Sequence, residues 1–255
     1  MGLVERKYGH LLEIALELGK TSSVLRVEDN SFTYARNPQY LSKLKDTKKN
    51  VQVMVPFPIY KEAEQLPMNV DVHFIDGEDN IEYIWAYIHN EVNKDVEPAP
   101  IIIGNNCYIH ETAIIGVHGN TYALAPDGSR IHLKEIGGVR LEDDVDVEAL
   151  SIVHRSCFNN TVIGKGSKVC VKCNIGHNVR IGKNSLIAPG VLLGGGTTVG
   201  DNCFIWQGVI TRSYINICDN AIVGAGSVVL HDLREPGIYI GSPARYVKPY
   251  DETLR

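Results

Sequence analysis

The chain reads as mainly β: a parallel β-helix of hexapeptide repeats preceded by a small α/β domain. Three observations predict it. Stepping by six from Val139 meets Val139, Val145, Ser151, Cys157, Ile163, Val169, Ile175, Ile181, Ile187, Leu193, Val199, Ile205, Thr211, Ile217, Val223 and Val229, and the three that are not aliphatic are small. Neither a 3.6-residue helix nor a two-residue strand alternation sustains that spacing, so each unit presents one face of a solenoid. Glycine follows several of these aliphatics, as in Ile163-Gly164, Ile175-Gly176, Ile181-Gly182 and Val199-Gly200, and suits tight corners. Residues 1–97, by contrast, carry no such beat.

In that first stretch Leu11, Ile14, Ala15 and Leu18 mark a helix stopped by Gly19. Val51–Val55 alternates as a strand ending at Pro56, and Val70, Val72 and Phe74 suggest another. Ile81, Ile84, Trp85, Ile88 and Val92 follow helical spacing after a capping Asp79 or Asn80. Residues 1–97 therefore form an α/β domain, and Glu97-Pro98-Ala99-Pro100 reads as a linker. The solenoid domain, 98–235, begins near Ile101, with Ile103, Ile109 and Ile115 in the same frame. A polar stretch, 117–136, interrupts it and reads as a functional or subunit-contact loop. Residues 236–255 leave the beat and are expected to cap the last coil. If three hexapeptides make one triangular turn, residues about 18 apart stack on one another.

Composition narrows the function. The 255 residues are 44% hydrophobic with a formal net charge of −5, so the basic footprint of a nucleic-acid-binding surface is missing. No run reaches the roughly 18 apolar residues of a membrane span, and no signal-peptide core opens the chain, so a cytoplasmic location is expected. Cys170 and Cys173 have no second ligand pair and read as reduced thiols within the repeat.

Among nine histidines, His177 stands out, two residues past the inward Ile175 and so at a turn. The 18-residue rule places Asn159 below it and Gly195 above it, within Gly194-Gly195-Gly196. An imidazole beside a bare peptide amide suits acyl transfer to an amine: the base takes the amine proton and the N–H stabilises the oxyanion. The bland alternative is a surface histidine at a corner. His154 either orients substrate or is simply exposed. In the first domain Tyr34, Asn37 and Tyr40 place two aromatics around an amide, a way to sandwich and read a flat base, although a Tyr/Asn/Pro turn is commonly just a turn.

These residues resemble the UDP-3-O-acylglucosamine N-acyltransferases of lipid A synthesis, and more widely the hexapeptide-repeat sugar acyltransferases. Ser31-Phe32, Asn37-Pro38-Gln39-Tyr40 and the strand ending Val55-Pro56 are similar to that family's uridine-binding domain. Gly137-Gly138-Val139-Arg140, Arg155 and Asn160–Gly164 resemble its central coils, Ile175-Gly176-His177-Asn178-Val179 its catalytic segment, and Glu235–Tyr239 with Gly241–Ala244 its closing turn. The resemblance implies a left-handed β-helix, a trimer, and a donor that is acyl-CoA or acyl carrier protein, with no bound cofactor. It assigns His177 as general base and Tyr34, Asn37 and Tyr40 to the base of the nucleotide amino sugar; the stacking rule adds Gly195 as oxyanion donor, and His154, Asn159 and Asn160 are expected at the same substrate. Gly194, Gly196 and Trp206 are expected at the acyl donor. The paired histidines of zinc-binding hexapeptide carbonic anhydrases have no counterpart at their five-residue spacing, so no metal is expected.

Departures from the family shade the expectation. His154-Arg155-Ser156 stands for Asp-Arg-Gly, Asn159-Asn160 for an Asp pair, Tyr214 for a second histidine and Trp206 for a glycine, while Ala188-Pro189-Gly190-Val191 is similar to CoA-dependent acetyltransferases. The expectation is an N-acyltransferase of a UDP- or dTDP-linked amino sugar, leaning to a short acyl group from CoA. Long-chain hydroxyacyl transfer from acyl carrier protein in lipid A synthesis is the first alternative. A non-catalytic ligand-binding solenoid is the second.

Overall fold

The computed structural model describes residues 3–22, 27–76 and 78–249. Contacts divide the chain into two compact units, Met1–Val96 with Asn120–Lys134, and Glu97–Gly119 with Glu135–Arg255.

In the first unit three parallel strands, Ser31–Tyr34, Val51–Pro56 and Val70–Ile75, lie in sequence order. Helices Leu3–Leu18 and Ile81–Val92 bury Leu11, Ala15, Ile84 and Ile88 with Phe32 and Val53. Asn80, rather than Asp79, caps the second helix, accepting from the amides of Glu82 and Tyr83 at 3.0 and 3.1 Å.

Most of the expected 117–136 insertion also belongs to this unit. It is an antiparallel hairpin of Tyr122–Leu124 and Arg130–His132. Side chains of the Ile81–Val92 helix and its cap hold its carbonyls: Asn80 Nδ2 to Leu124 at 3.0 Å, Asn90 Nδ2 to His132 at 2.9 Å, and His89 Nε2 to Lys134 at 2.7 Å. A carbonyl only accepts, so His89 carries its proton on Nε2 and its Nδ1 accepts from the Thr21 hydroxyl. Complete burial pulls the His89 pKa down to about 4.

The second unit is a three-sided prism. Its first face stacks Ile101–Ile103, Val139–Leu141, Thr161–Ile163, Arg180–Ile181, Thr198–Val199 and Asn216–Ile217. The second stacks Tyr108–Ile109, Asp146–Val147, Lys168–Val169, Leu186–Ile187, Phe204–Ile205 and Ala221–Val223. The third stacks Ile114–Val117, Ile152–His154, Asn174–Ile175, Leu192–Leu193, Ile210–Thr211 and Val228–Val229. Gly237–Ile240 extends the second face, and the antiparallel Arg245–Pro249 closes its edge. Tyr239, Ala244 and Leu233 end the core there. Residues 250–255 of the expected cap lie outside the described residues.

Each hexapeptide sends two residues inward, a large aliphatic and a smaller residue two positions earlier. Ile163, Val169, Ile175 and Ile181 form the first column, Thr161, Ser167, Cys173 and Val179 the second, and all are buried. Buried hydroxyls bond the next coil: Ser167 Oγ donates to the Gly182 carbonyl at 2.7 Å and accepts the Ser185 amide at 2.9 Å.

The regular beat hides a phase break. Leu141, Val147 and Val153 pair with Ile163, Val169 and Ile175, a step of 22 residues, whereas later coils step by 18. Val139, Val145 and Ser151 thus occupy the small-residue column, and Cys157 lies in extra chain at 155–160. The first coil is offset from the second by 38, because the hairpin segment intervenes. Both interruptions fall at one corner, where the third face turns into the first. That corner carries His177.

Candidate active site

Gly176-His177-Asn178-Val179 joins the strands Asn174–Ile175 and Arg180–Ile181. Asn178 has φ +62°, a left-handed conformation that asparagine tolerates well. Its side chain does a second job. Asn178 Oδ1 accepts the Cys157 backbone N–H at 3.2 Å, and an amide N–H only donates, so that atom is the carbonyl oxygen. His177 Nδ1, 2.9 Å from the same oxygen, must then be the protonated nitrogen. The Nε2 lone pair is left free to act as a base. The ring is largely covered, and burial lowers its pKa below the ordinary imidazole value; Asn178 and Glu135 oppose that shift and His154 adds to it.

Gly195 stacks on the imidazole, as the 18-residue rule requires on this side of the break. A Cβ at Gly195 would collide with Nε2, so only glycine fits against the ring. One position on, the Tyr214 ring occupies the space of a Gly196 Cβ, where φ is +72°. Two rings thus require Gly195 and Gly196, while Gly194 is pressed by the backbone of Thr211–Ser213 in the next coil. The Gly195 carbonyl accepts the Tyr214 amide at 2.9 Å, while its own N–H donates to nothing among the described residues. An unspent amide thus lies next to a nitrogen lone pair.

Asn159 is not below His177. The coil beneath is four residues longer, and its Cys157 amide is what meets Asn178 beside His177. Asn159 is carried to Gly137, where its carbonyl fills the space of a Cβ. Asn160 Oδ1 accepts the Gly138 amide at 3.0 Å and pins the start of the first face. His154 is buried rather than exposed, with Nδ1 2.7 Å from the His118 carbonyl and Nε2 3.0 Å from Asn174 Oδ1. Both ring nitrogens are spent within the prism. Trp206 lies at another corner, between the second and third faces, edge-on to Phe204 at 4.5 Å. The fold brings His177 and Gly194–Gly196 together and leaves Trp206 apart.

Two residues at this corner carry no periodic signal. Glu135 is fully buried, and its carboxylate accepts from His118 Nδ1 at 2.9 Å. Gly119 separates that carboxylate from His177: a Cβ there would lie 2.7 Å from Glu135 Oε1 and 2.9 Å from His177 Cβ.

In the first unit Tyr34 ends the first strand and Asn37 and Tyr40 follow it, at the edge of a parallel sheet that commonly meets ligands. Asn37 Oδ1 caps the turn Pro38–Leu41, accepting the Tyr40 amide at 3.0 Å, so its carbonyl is committed to the backbone. Tyr40 faces the Arg36 guanidinium at 5.3 Å, and Arg36 is paired with Glu82. Trp85, buried on the Ile81–Val92 helix, stacks on Phe32 at 6.3 Å and meets Tyr34 at 5.5 Å. Among the described residues no group of three His, Cys, Asp or Glu is placed to hold a metal ion. Burial pushes the Cys173 thiol up to about 11, which fits its small-column role.

Comparison with known proteins finds matches in the repeat region and in the fold. Residues 160–195 match the family described as bacterial transferase hexapeptide (six repeats), and residues 196–231 the hexapeptide repeat of succinyl-transferase. The chain superposes on a UDP-N-acetylglucosamine acyltransferase from Bacteroides fragilis with TM-score 0.51 and 16% identity, over 58% of this chain and 56% of that one. An Arabidopsis UDP-N-acetylglucosamine acyltransferase gives TM-score 0.50 and 20% identity over 61% and 66%. The prism is accordingly a left-handed parallel β-helix.

In sequence, the chain is similar to the UDP-3-O-acylglucosamine N-acyltransferases of Sinorhizobium fredii, 43% identical over 79 residues, and Rhizobium meliloti, 42% identical over 79 residues. Each match covers 31% of this chain and 22% of the relative's length.

Proposed function

We propose that the protein transfers an acyl group from a thioester to the amine of a nucleotide-linked amino sugar, with a UDP sugar and a long-chain hydroxyacyl donor on acyl carrier protein as the favoured pair. The observation that carries the reading is the free Nε2 of His177 set against the unpaired amide of Gly195. The amine nitrogen attacks the thioester carbonyl carbon, a C–N bond forms, and the carbonyl electron pair moves onto oxygen. His177 Nε2 takes the N–H proton, and the Gly195 amide donates to the oxyanion. Collapse breaks the C–S bond, and the imidazolium returns its proton to the leaving thiolate.

The relatives' names support the long-chain alternative over the lean toward acetyl-CoA. One feature still favours a short donor: the exposed indole of Trp206, set where the resemblance expects glycine. Tyr34 and Tyr40 are proposed to hold the base, with Trp85 backing Tyr34. A homotrimer is supported by the outward column of the third face, Ile114, Ile152, Leu192, Ile210 and Val228, broken only by Asn174. A cytoplasmic site of action is part of this proposal; among the described residues no helix is long and apolar enough to cross a membrane.

The test offers the purified protein UDP- and dTDP-linked amino sugars with either 3-hydroxyacyl carrier protein or acetyl-CoA, reading amide product by mass. Amide formed from the long-chain donor and a UDP sugar supports the favoured pair. Product from acetyl-CoA alone selects the short-chain reading. Thiol release with neither donor rejects acyl transfer.

A further inference from the structure

We infer that Glu135 is a positioning residue for His177, a buried carboxylate across Gly119 that favours the charged ring formed when His177 accepts the amine proton. The inference rests on His177 acting as the base. Glu135 has no exposed side-chain surface, and its position is fixed by the His118 ring at 2.9 Å. A buried carboxylate is costly unless it meets positive charge or hydrogen bonds, so its place beside an imidazole calls for an account.

The geometry provides one. Gly119 is the last prism residue before the hairpin segment and Glu135 the first after it. At Gly119 the carboxylate and the His177 ring approach the same missing side chain, and any larger residue would force them apart. Glu135 raises the His177 pKa, against the burial and the His154 ring that lower it. Among the described residues Glu135 and His154 are the titratable groups that act on His177, the Arg155 guanidinium being turned to the Gly116 carbonyl at 2.9 Å; Glu135 itself faces His118. No contact with substrate is required, because the carboxylate acts through the field at the imidazole as the proton arrives. His118 ties the arrangement to the coil below: its carbonyl accepts from His154, so one short segment sets both the carboxylate and the ring beneath the catalytic strand.

The experiment titrates His177 by NMR in ring-labelled protein and measures kcat and KM for wild type, Glu135→Gln and Glu135→Asp. Glu135→Gln is expected to move the His177 titration down by about one pH unit. It should also lower kcat about tenfold, with both KM values unchanged. Glu135→Asp withdraws the carboxylate by one methylene and should fall between the two, and it carries the test alone if the glutamine variant does not fold. An unmoved titration, or a loss confined to KM, overturns the inference. His177→Ala is assayed in parallel. If it stays active the catalytic reading has failed, whatever the titration shows; if it is inactive while the Glu135 variants titrate as wild type, only the role of Glu135 falls.

Discussion

Two corners of the same prism treat the same backbone amide in opposite ways. Where the first face turns into the second, the amides of Asn105, Lys183 and Asp201 are capped by Asp143, Asp201 and Asp219 of the coil above, at 2.8, 2.7 and 2.7 Å. Where the third face turns into the first, the equivalent residue above His177 is Gly195, which has no side chain to offer, and its own amide remains unspent among the described residues. The first corner is periodic and self-satisfied. The second collects both interruptions of the repeat, the histidine and three glycines. A repeat protein is stable through corners of the first kind and is free to do chemistry only where that pattern is given up.

Substitutions can break this contrast from either side. Gly195→Ala should have the largest effect. Its φ is not left-handed, so alanine strains nothing locally, yet the new methyl displaces Nε2. A kcat/KM loss on the order of 1,000-fold is expected, with the thermal midpoint nearly unchanged. Asn178→Gly keeps the left-handed turn and deletes the oxygen that sets the His177 tautomer. It should lower kcat roughly 10- to 100-fold, read in steady-state kinetics with KM little changed.

The pH profile gives a gentler test. His177 must be neutral to accept a proton, and burial lowers its pKa. The acid limb of kcat/KM should therefore fall below the ordinary imidazole value, about 6.5. Activity is retained as pH drops through that value and lost only below it. A limb above 6.5 would mean that charge, not burial, dominates at the ring. The smallest effect belongs to the other corner. Asp201→Ala frees the Lys183 amide and should reduce unfolding free energy by about 1 kcal/mol in urea titrations, with kcat untouched.

The period of six was legible because two inward columns repeat it, and burial keeps both apolar or small. Its phase was not, for an arithmetical reason. Four extra residues at 155–160, together with a two-residue change of column, restore a multiple of six, so the beat crosses the break without missing a step. The misplacement of Asn159 follows from that coincidence, while Gly195 was placed correctly because the coil above His177 is regular. Asn178 stood in the sequence only as part of the segment around His177, and its role at the ring depends on the Cys157 amide, which no spacing reveals. Glu135 and His118 sit at the ends of an aperiodic insertion, where sequence carries no register at all. In the first unit, alternation and helical spacing located strands and the long helix, but not the hairpin that returns from the insertion to complete it.

The most direct measurement is the turnover of His177→Ala, checked by circular dichroism to retain the β-helix, against wild type with the donor and UDP amino sugar that wild type uses best. Loss of at least about 1,000-fold in kcat/KM is the predicted result. Activity within tenfold of wild type would contradict a base at that corner.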